Sequence, residues 1–115
     1  MRAVAFAVAL LTAPAAQAQV VEAPGAVLRA LDKIDGRVAD VTVHVGETAS
    51  FGRLGITLVE CRYPSQNPSG DAFALLEVRQ EEASLFKGWM VASSPALNAL
   101  DHPRYDVWVM RCSTS

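Results

Sequence analysis

The sequence predicts an all-β domain: a small antiparallel β-sandwich or barrel of about six or seven short strands, with one helical turn near residues 95–100. Three observations carry this. Val38 to Val45 alternates cleanly, with Val41, Val43 and Val45 on one side and Asp40, Thr42 and His44 on the other. Turn signals such as Asp35-Gly36 and Gly46-Glu47 recur every eight to twelve residues or so. The intervals between them are too short for βαβ crossovers, which need about 30 residues.

The elements follow in order. Residues 1–18 read as a signal peptide, with Arg2, an apolar run from Ala3 to Leu11 and the small-residue exit Ala16-Gln17-Ala18. The alternative, a membrane anchor, needs roughly 20 apolar residues. No cysteine near the exit offers a lipid attachment point. Residues 19–25 read as a flexible N-terminal arm containing Pro24, and residues 26–115 as a single β domain. Val27 to Ile34 leans towards strand. Gly52 and Gly55 bracket a bend or bulge before the inward row Leu54, Ile56 and Leu58. Tyr63 to Asp71 is the longest polar loop.

Ala72 to Arg79 is nearly continuously apolar, which suits a central strand covered on both faces. Glu81-Glu82 reads as a solvated hairpin tip. Leu85 to Ala92 precedes Ser93-Ser94-Pro95, a helix-start signal with serine as cap and proline in the first turn. The turn stops before Pro103, and Tyr105 to Cys112 is the last strand.

Composition bounds the function. The chain has 115 residues, half of them apolar, so one domain with a real core is expected. Removing the leader takes away Arg2 alone and leaves nine basic against twelve acidic residues, a net charge of −3. That is no footprint for nucleic acid or for an anionic membrane. No second apolar run is long enough to span a bilayer, so no integral membrane segment is expected after leader cleavage. Two cysteines, Cys61 and Cys112, behind an export signal favour a disulfide. Closing a loop of about fifty residues stabilises by roughly 4 kcal/mol in the chain-entropy account. Two reduced buried thiols are the alternative, and a metal pair is disfavoured by the lack of a CxxC motif.

The stretch Gly88-Trp89-Met90-Val91-Ala92-Ser93-Ser94-Pro95-Ala96-Leu97-Asn98-Ala99-Leu100-Asp101-His102-Pro103, followed by Tyr105-Asp106-Val107-Trp108, resembles an exported family of Gram-negative bacteria, the domain of unknown function 2155 family. Leu31-Asp32-Lys33, Gly46-Glu47-Thr48, Phe51-Gly52 with Leu54, and Cys61-Arg62 are similar to its other landmarks. The resemblance runs from about Ala26 to Cys112. It implies a periplasmic domain with paired cysteines, and brings no activity, cofactor or catalytic residue with it.

Ser93, Ser94, Asp101, His102 and Asp106 contain the ingredients of an acyl-transfer triad. No G-x-S-x-G elbow accompanies them. The plainer reading makes Ser94 a cap, Asp101 or His102 the tie at the end of the turn, and Pro103 the setter of the return angle. His44 and His102 can share a metal with Asp40 or Asp101 only if the fold gathers them. Trp89, Trp108, Phe86 and Tyr105 concentrate aromatic side chains in the last third, as core or as a partner anchor. Asp32-Lys33 and Asp35 read as a local ion-paired turn.

The sequence therefore favours a non-catalytic periplasmic binding module. Its loop 93–105 would engage a protein or an envelope component through Trp89, Ser93, Ser94, Asn98, Asp101, His102 and Tyr105, with no cofactor or metal. A small serine hydrolase using Ser93 or Ser94 with His102 is the alternative, as is a structural subunit or assembly helper of an envelope complex.

Overall fold

A computed structural model describes residues 19–115. The leader assigned to residues 1–18 lies outside the described residues. Eight antiparallel strands follow one another: β1 (Val20–Ala23), β2 (Gly25–Asp32), β3 (Val38–His44), β4 (Thr48–Phe51), β5 (Leu54–Pro64), β6 (Phe73–Gln80), β7 (Ala83–Val91) and β8 (Tyr105–Ser113). The larger sheet runs β1-β5-β6-β7, with β4 also on β5, and the smaller runs β3-β2-β8. Both sheets are open.

This corrects the expected fold in three ways. There are eight strands rather than six or seven, because Val20–Ala23 in the expected arm pairs with Cys61 to Pro64 of β5. The sheets do not close into a barrel. No helix occurs among the described residues. At residues 95–100, Leu97 N–H donates to the Ser94 carbonyl at 3.0 Å, which closes a single turn. Serine followed by proline starts a β-turn as readily as a helix. The chain cannot wind further, because Leu100 is drawn into the core.

Alternation places the core. Ala26, Leu28 and Ala30 of β2 face Leu54, Ile56 and Leu58 of β5, and Ala74, Leu76 and Val78 of β6, across a common interior. Tyr105, Val107 and Val109 of β8 complete it. In β3, Ala39 and Val41 pack against this core and Val43 lies in it. Val45, expected inward, lies beyond the strand end and is exposed. β6 is covered on one face only. Its other face leaves Phe73, Leu75 and Glu77 half-buried.

Three bulges interrupt the ladders: one skips Leu85 in β7, and the other two lie just before the cysteines. Leu58 pairs with Leu76 and Glu60 with Leu75, so Val59 is skipped. Val109 pairs with Leu28 and Arg111 with Val27, so Met110 is skipped. An extra residue reverses which side chains face inward beyond it. Cys61 and Cys112 each sit two residues past a bulge, and both therefore turn into the core. They form the disulfide expected from the sequence, with their Cα atoms 5.8 Å apart, and it ties β5 of one sheet to β8 of the other.

Two hairpins have two-residue turns, Gly52-Arg53 and Glu81-Glu82, between the closing pairs Phe51–Leu54 and Gln80–Ala83. In each the first residue has φ of 56°. Glycine adopts this without cost, and glutamate does not. A Cβ on Gly52 would also meet the Tyr105 hydroxyl at 2.5 Å. Gly52→Ala is therefore expected to cost about 2 kcal/mol or more. Glu81→Gly should gain roughly 0.5–1 kcal/mol. Urea midpoints of the two variants should move in opposite directions.

Candidate functional site

The loop between β7 and β8 is held by its own polar groups. The Ser93 hydroxyl donates to Asp71 Oδ2 at 2.7 Å, and Ser93 N–H donates to Asp71 Oδ1 at 3.0 Å. Asp71 is partly desolvated, which pushes its carboxyl up. The bonds from Ser93 and from Ala72 N–H outweigh this, and the net shift is downward. Ser94 N–H donates to the Val91 carbonyl. Asn98 Nδ2 donates to the Trp89 carbonyl at 3.0 Å and lies over Gly88, where a Cβ would meet it at 2.7 Å. Asp101 is exposed.

His102 receives two backbone donors at one nitrogen. Arg104 N–H and Tyr105 N–H both donate to Nδ1, at 2.9 and 3.2 Å. That nitrogen is therefore the unprotonated one, and Nε2–H donates to Gln80 Oε1 at 3.0 Å. Tyr105 is buried, and its hydroxyl accepts Arg53 N–H at 3.3 Å. The structure thus brings the serine to Asp71 and the histidine to Gln80. The nucleophile–base bond that a triad requires is not among their contacts. His44, at the end of β3, lies 3.3 Å from Glu47 in the turn that follows it. Among the described residues no group of three or more His, Cys, Asp or Glu side chains gathers to hold a metal.

Beside this loop lies an interaction that sequence reasoning missed. Asp32 is completely buried. Its Oδ2 accepts Nε and Nη2 of Arg104 at 3.0 and 2.8 Å. Its Oδ1 accepts Ile34 N–H at 3.0 Å and Asp35 N–H at 3.4 Å. Lys33 adds to the tie, with Nζ donating to the His102 carbonyl and its N–H to the Arg104 carbonyl. The signal was present: Asp32 continues the row Ala26, Leu28 and Ala30, so an acid stands in phase with the core.

The aromatic residues separate into two groups. Tyr105 and Phe51 meet edge to face in the core, at 6.1 Å between centroids. Phe86 packs against the core from β7. Trp108 is half-buried, with Arg29 opposite it on β2. Trp89 points outward from β7 and is 37% exposed. It borders a shallow depression of about 300 Å³ with Val20, Phe73 and Arg62. Leu75 is its cross-strand neighbour.

Charged groups frame this apolar tract. The Arg62 guanidinium lies over the Trp89 ring, 5.5 Å from its centroid. It donates to Glu60 Oε1 at 2.6 and 2.8 Å and lies 3.6 Å from Glu22. The bond from Arg62 holds the Glu60 carboxyl below the usual range, while sharing a hydrogen bond with Glu60 pushes Glu22 up. Four β strands thus contribute to this face, and the exposed indole stands on its edge strand, β7. Val20 escaped the sequence reading because β1 did.

The described chain is thus a two-sheet β domain with a disulfide bridging the sheets and an indole exposed on the larger one. The chain belongs to the family of uncharacterized proteins conserved in bacteria named DUF2155, which matches residues 26–112. This bears out the resemblance carried by Gly88 to Pro103. The chain is also similar to the uncharacterized protein RP359 of Rickettsia prowazekii (strain Madrid E), at 30% identity over 88 residues. The match takes 72% of this chain and 57% of that protein, so the chain spans a little over half the length of this curated relative. No solved structure matches the chain. No helix among the described residues is long and apolar enough to cross a membrane.

Asp32 gives a pH signature. The bonds from Arg104 lower its carboxyl first, burial opposes them, and the Ile34 and Asp35 N–H groups lower it further, to about 2 from an ordinary 3.8. A depressed carboxyl contributes stability that is complete above its unfolded value and lost as pH falls through the folded one. Thermal melts should therefore show the melting temperature dropping between pH 4 and pH 2. Asp32→Asn should melt lower at pH 5 and respond less across that acid window.

Proposed function

We propose that this protein is a non-catalytic binding module of the bacterial envelope, exported to the periplasm, which seats an apolar side chain of a partner protein in the depression beside Trp89. One observation carries this reading: an indole stands exposed on the outer face of the larger sheet, beside the apolar Val20, Phe73 and Leu75 and bordered on the β5 and β1 side by charged groups. That is the anatomy of an interface anchor, in which a desolvated aromatic centre supplies the energy and the rim excludes water. The rim charges Arg62, Glu60 and Glu22 largely satisfy one another. An uncharged side chain can enter without stranding a partnerless charge.

The 93–105 loop has a supporting role. Asn98 fixes the Trp89 backbone by its carbonyl, and Asp71 with Ser93 anchors the start of the loop. Periplasmic placement is supported by the leader pattern of residues 1–18, by a disulfide and by membership of a bacterial family. Loop residues whose polar groups are already engaged in the fold argue against the serine-hydrolase alternative.

The reading is tested by cross-linking and affinity capture of tagged protein from its own periplasm and membranes, followed by affinity measurement with the captured partner. Trp89→Ala should weaken that partner by about thirtyfold, the equivalent of an anchor worth roughly 2 kcal/mol. Its melting temperature should stay near that of wild type. An unchanged affinity in Trp89→Ala would remove the proposed surface. An Asn98→Ala, His102→Ala variant should weaken the same partner only as far as the loop loosens.

A further inference from the structure

The two ends of the interior are built from different materials. At one end stand Phe51, Leu54, Val78 and Tyr105, with the Asp32–Arg104 pair beside them. At the other end stands the Cys61–Cys112 bond, and its cross-strand neighbours are alanines. Ala23 and Ala74 flank Cys61 on either side, and Ala26 lies opposite Cys112. All three alanines are buried. Met90 beyond Ala74 and Val43 beyond Ala26 are the large side chains that close these two rows. A methyl group buries little apolar surface, so the centre of this end is lightly packed and leans on its covalent bond.

The same end carries the wall of the Trp89 depression. β1 pairs with the larger sheet through Cys61 to Pro64 of β5. That half of β5 lies beyond the Val59 bulge, and the bulge aims Glu60 and Arg62 outward while turning Cys61 inward. β1 in turn supplies Val20 and Glu22 to the depression and its rim.

From this arrangement we propose that the Cys61–Cys112 disulfide is a redox latch on the Trp89 face. The bond holds the post-bulge half of β5, and with it β1 and Arg62, in the geometry that forms the depression. Reduction by a dithiol transfers two electrons and two protons to the two Sγ atoms. It yields the Cys61 and Cys112 thiols and leaves the dithiol as a disulfide. The alanine end then loosens while the end around Tyr105 stays packed, because local opening follows local packing. The significance for binding rests on the partner reading above. The structural change does not.

Hydrogen exchange on the protein, oxidised and then reduced in place with a dithiol, tests the latch directly. On reduction, amide protection should fall at least about tenfold in 20–23 and 61–64 and remain unchanged in 54–58, 76–78 and 105–109. In a Trp108→Phe background, the Trp89 emission should change as Arg62 leaves the ring. A Cys61→Ala, Cys112→Ala variant should reproduce both results without reductant. Uniform loss of protection would make the bond a global staple and overturn the proposal, as would no change anywhere. Binding is read separately. If oxidised Trp89→Ala still holds the partner, the binding reading fails and the exchange result stands. If the reduced wild type binds the partner unchanged while exchange rises locally, the latch does not regulate that surface.

Discussion

The buried Asp32–Arg104 pair is the interaction from which the rest of the structure is hung. Asp32 ends β2 and Arg104 sits one residue before β8, and these two strands are neighbours in the smaller sheet. The pair therefore fixes where the chain must re-enter after its long excursion over β7. A carboxylate without water is tolerated only when its lone pairs are filled. Here Arg104 fills one oxygen and two backbone N–H groups the other. The arrangement also dictates the loop. With Arg104 committed to Asp32, its backbone N–H and that of Tyr105 face inward, and His102 accepts both.

That constraint explains why the loop is polar. Ser93, Asn98 and His102 resemble ligand-binding residues when read in sequence, since each has spare donors or acceptors. Folded, they spend those groups on Asp71, the Trp89 carbonyl and Gln80. Their chemistry closes an irregular segment over a sheet end, and an irregular segment needs side chains to satisfy its backbone. The surface that stays free lies on the neighbouring strands, where Trp89 and Phe73 point away from the core.

Much of the fold was legible in the residues. Alternation in Val38–His44 and Leu54–Leu58 assigns both the strands and their inward faces, whereas Tyr105 to Cys112 reads as a strand without a decisively polar face. The pairing of Cys61 with Cys112 follows from their number and the export signal. What alternation cannot give is the place where it fails. The bulges at Val59 and Met110 reverse the inward face, and neither residue carries a turn signal. Ser94-Pro95 misled because a capped helix and a β-turn begin alike, and distant Leu100 decides between them. Val20 to Ala23 was too short to show a period, so β1 and its wall of the depression went unseen. Trp89 was singled out from its residue type, but its exposure depends on that missed strand.

The longest strand has an unusual neighbour. One edge of β5 is covered by two separate pieces, β4 at its start and β1 at its end, with Gly46 and Glu47 bonding Leu58 between them. A continuous bare edge of eleven residues would be an open template for another chain. Splitting its cover makes the first piece local in sequence and the second dependent on a short segment that arrives from the far end of the fold. Until β1 docks, the amides and carbonyls of Cys61 to Pro64 are open to strand exchange between molecules. Safe assembly of this domain at high concentration thus hangs on four residues of which Ala23 alone is buried in its core.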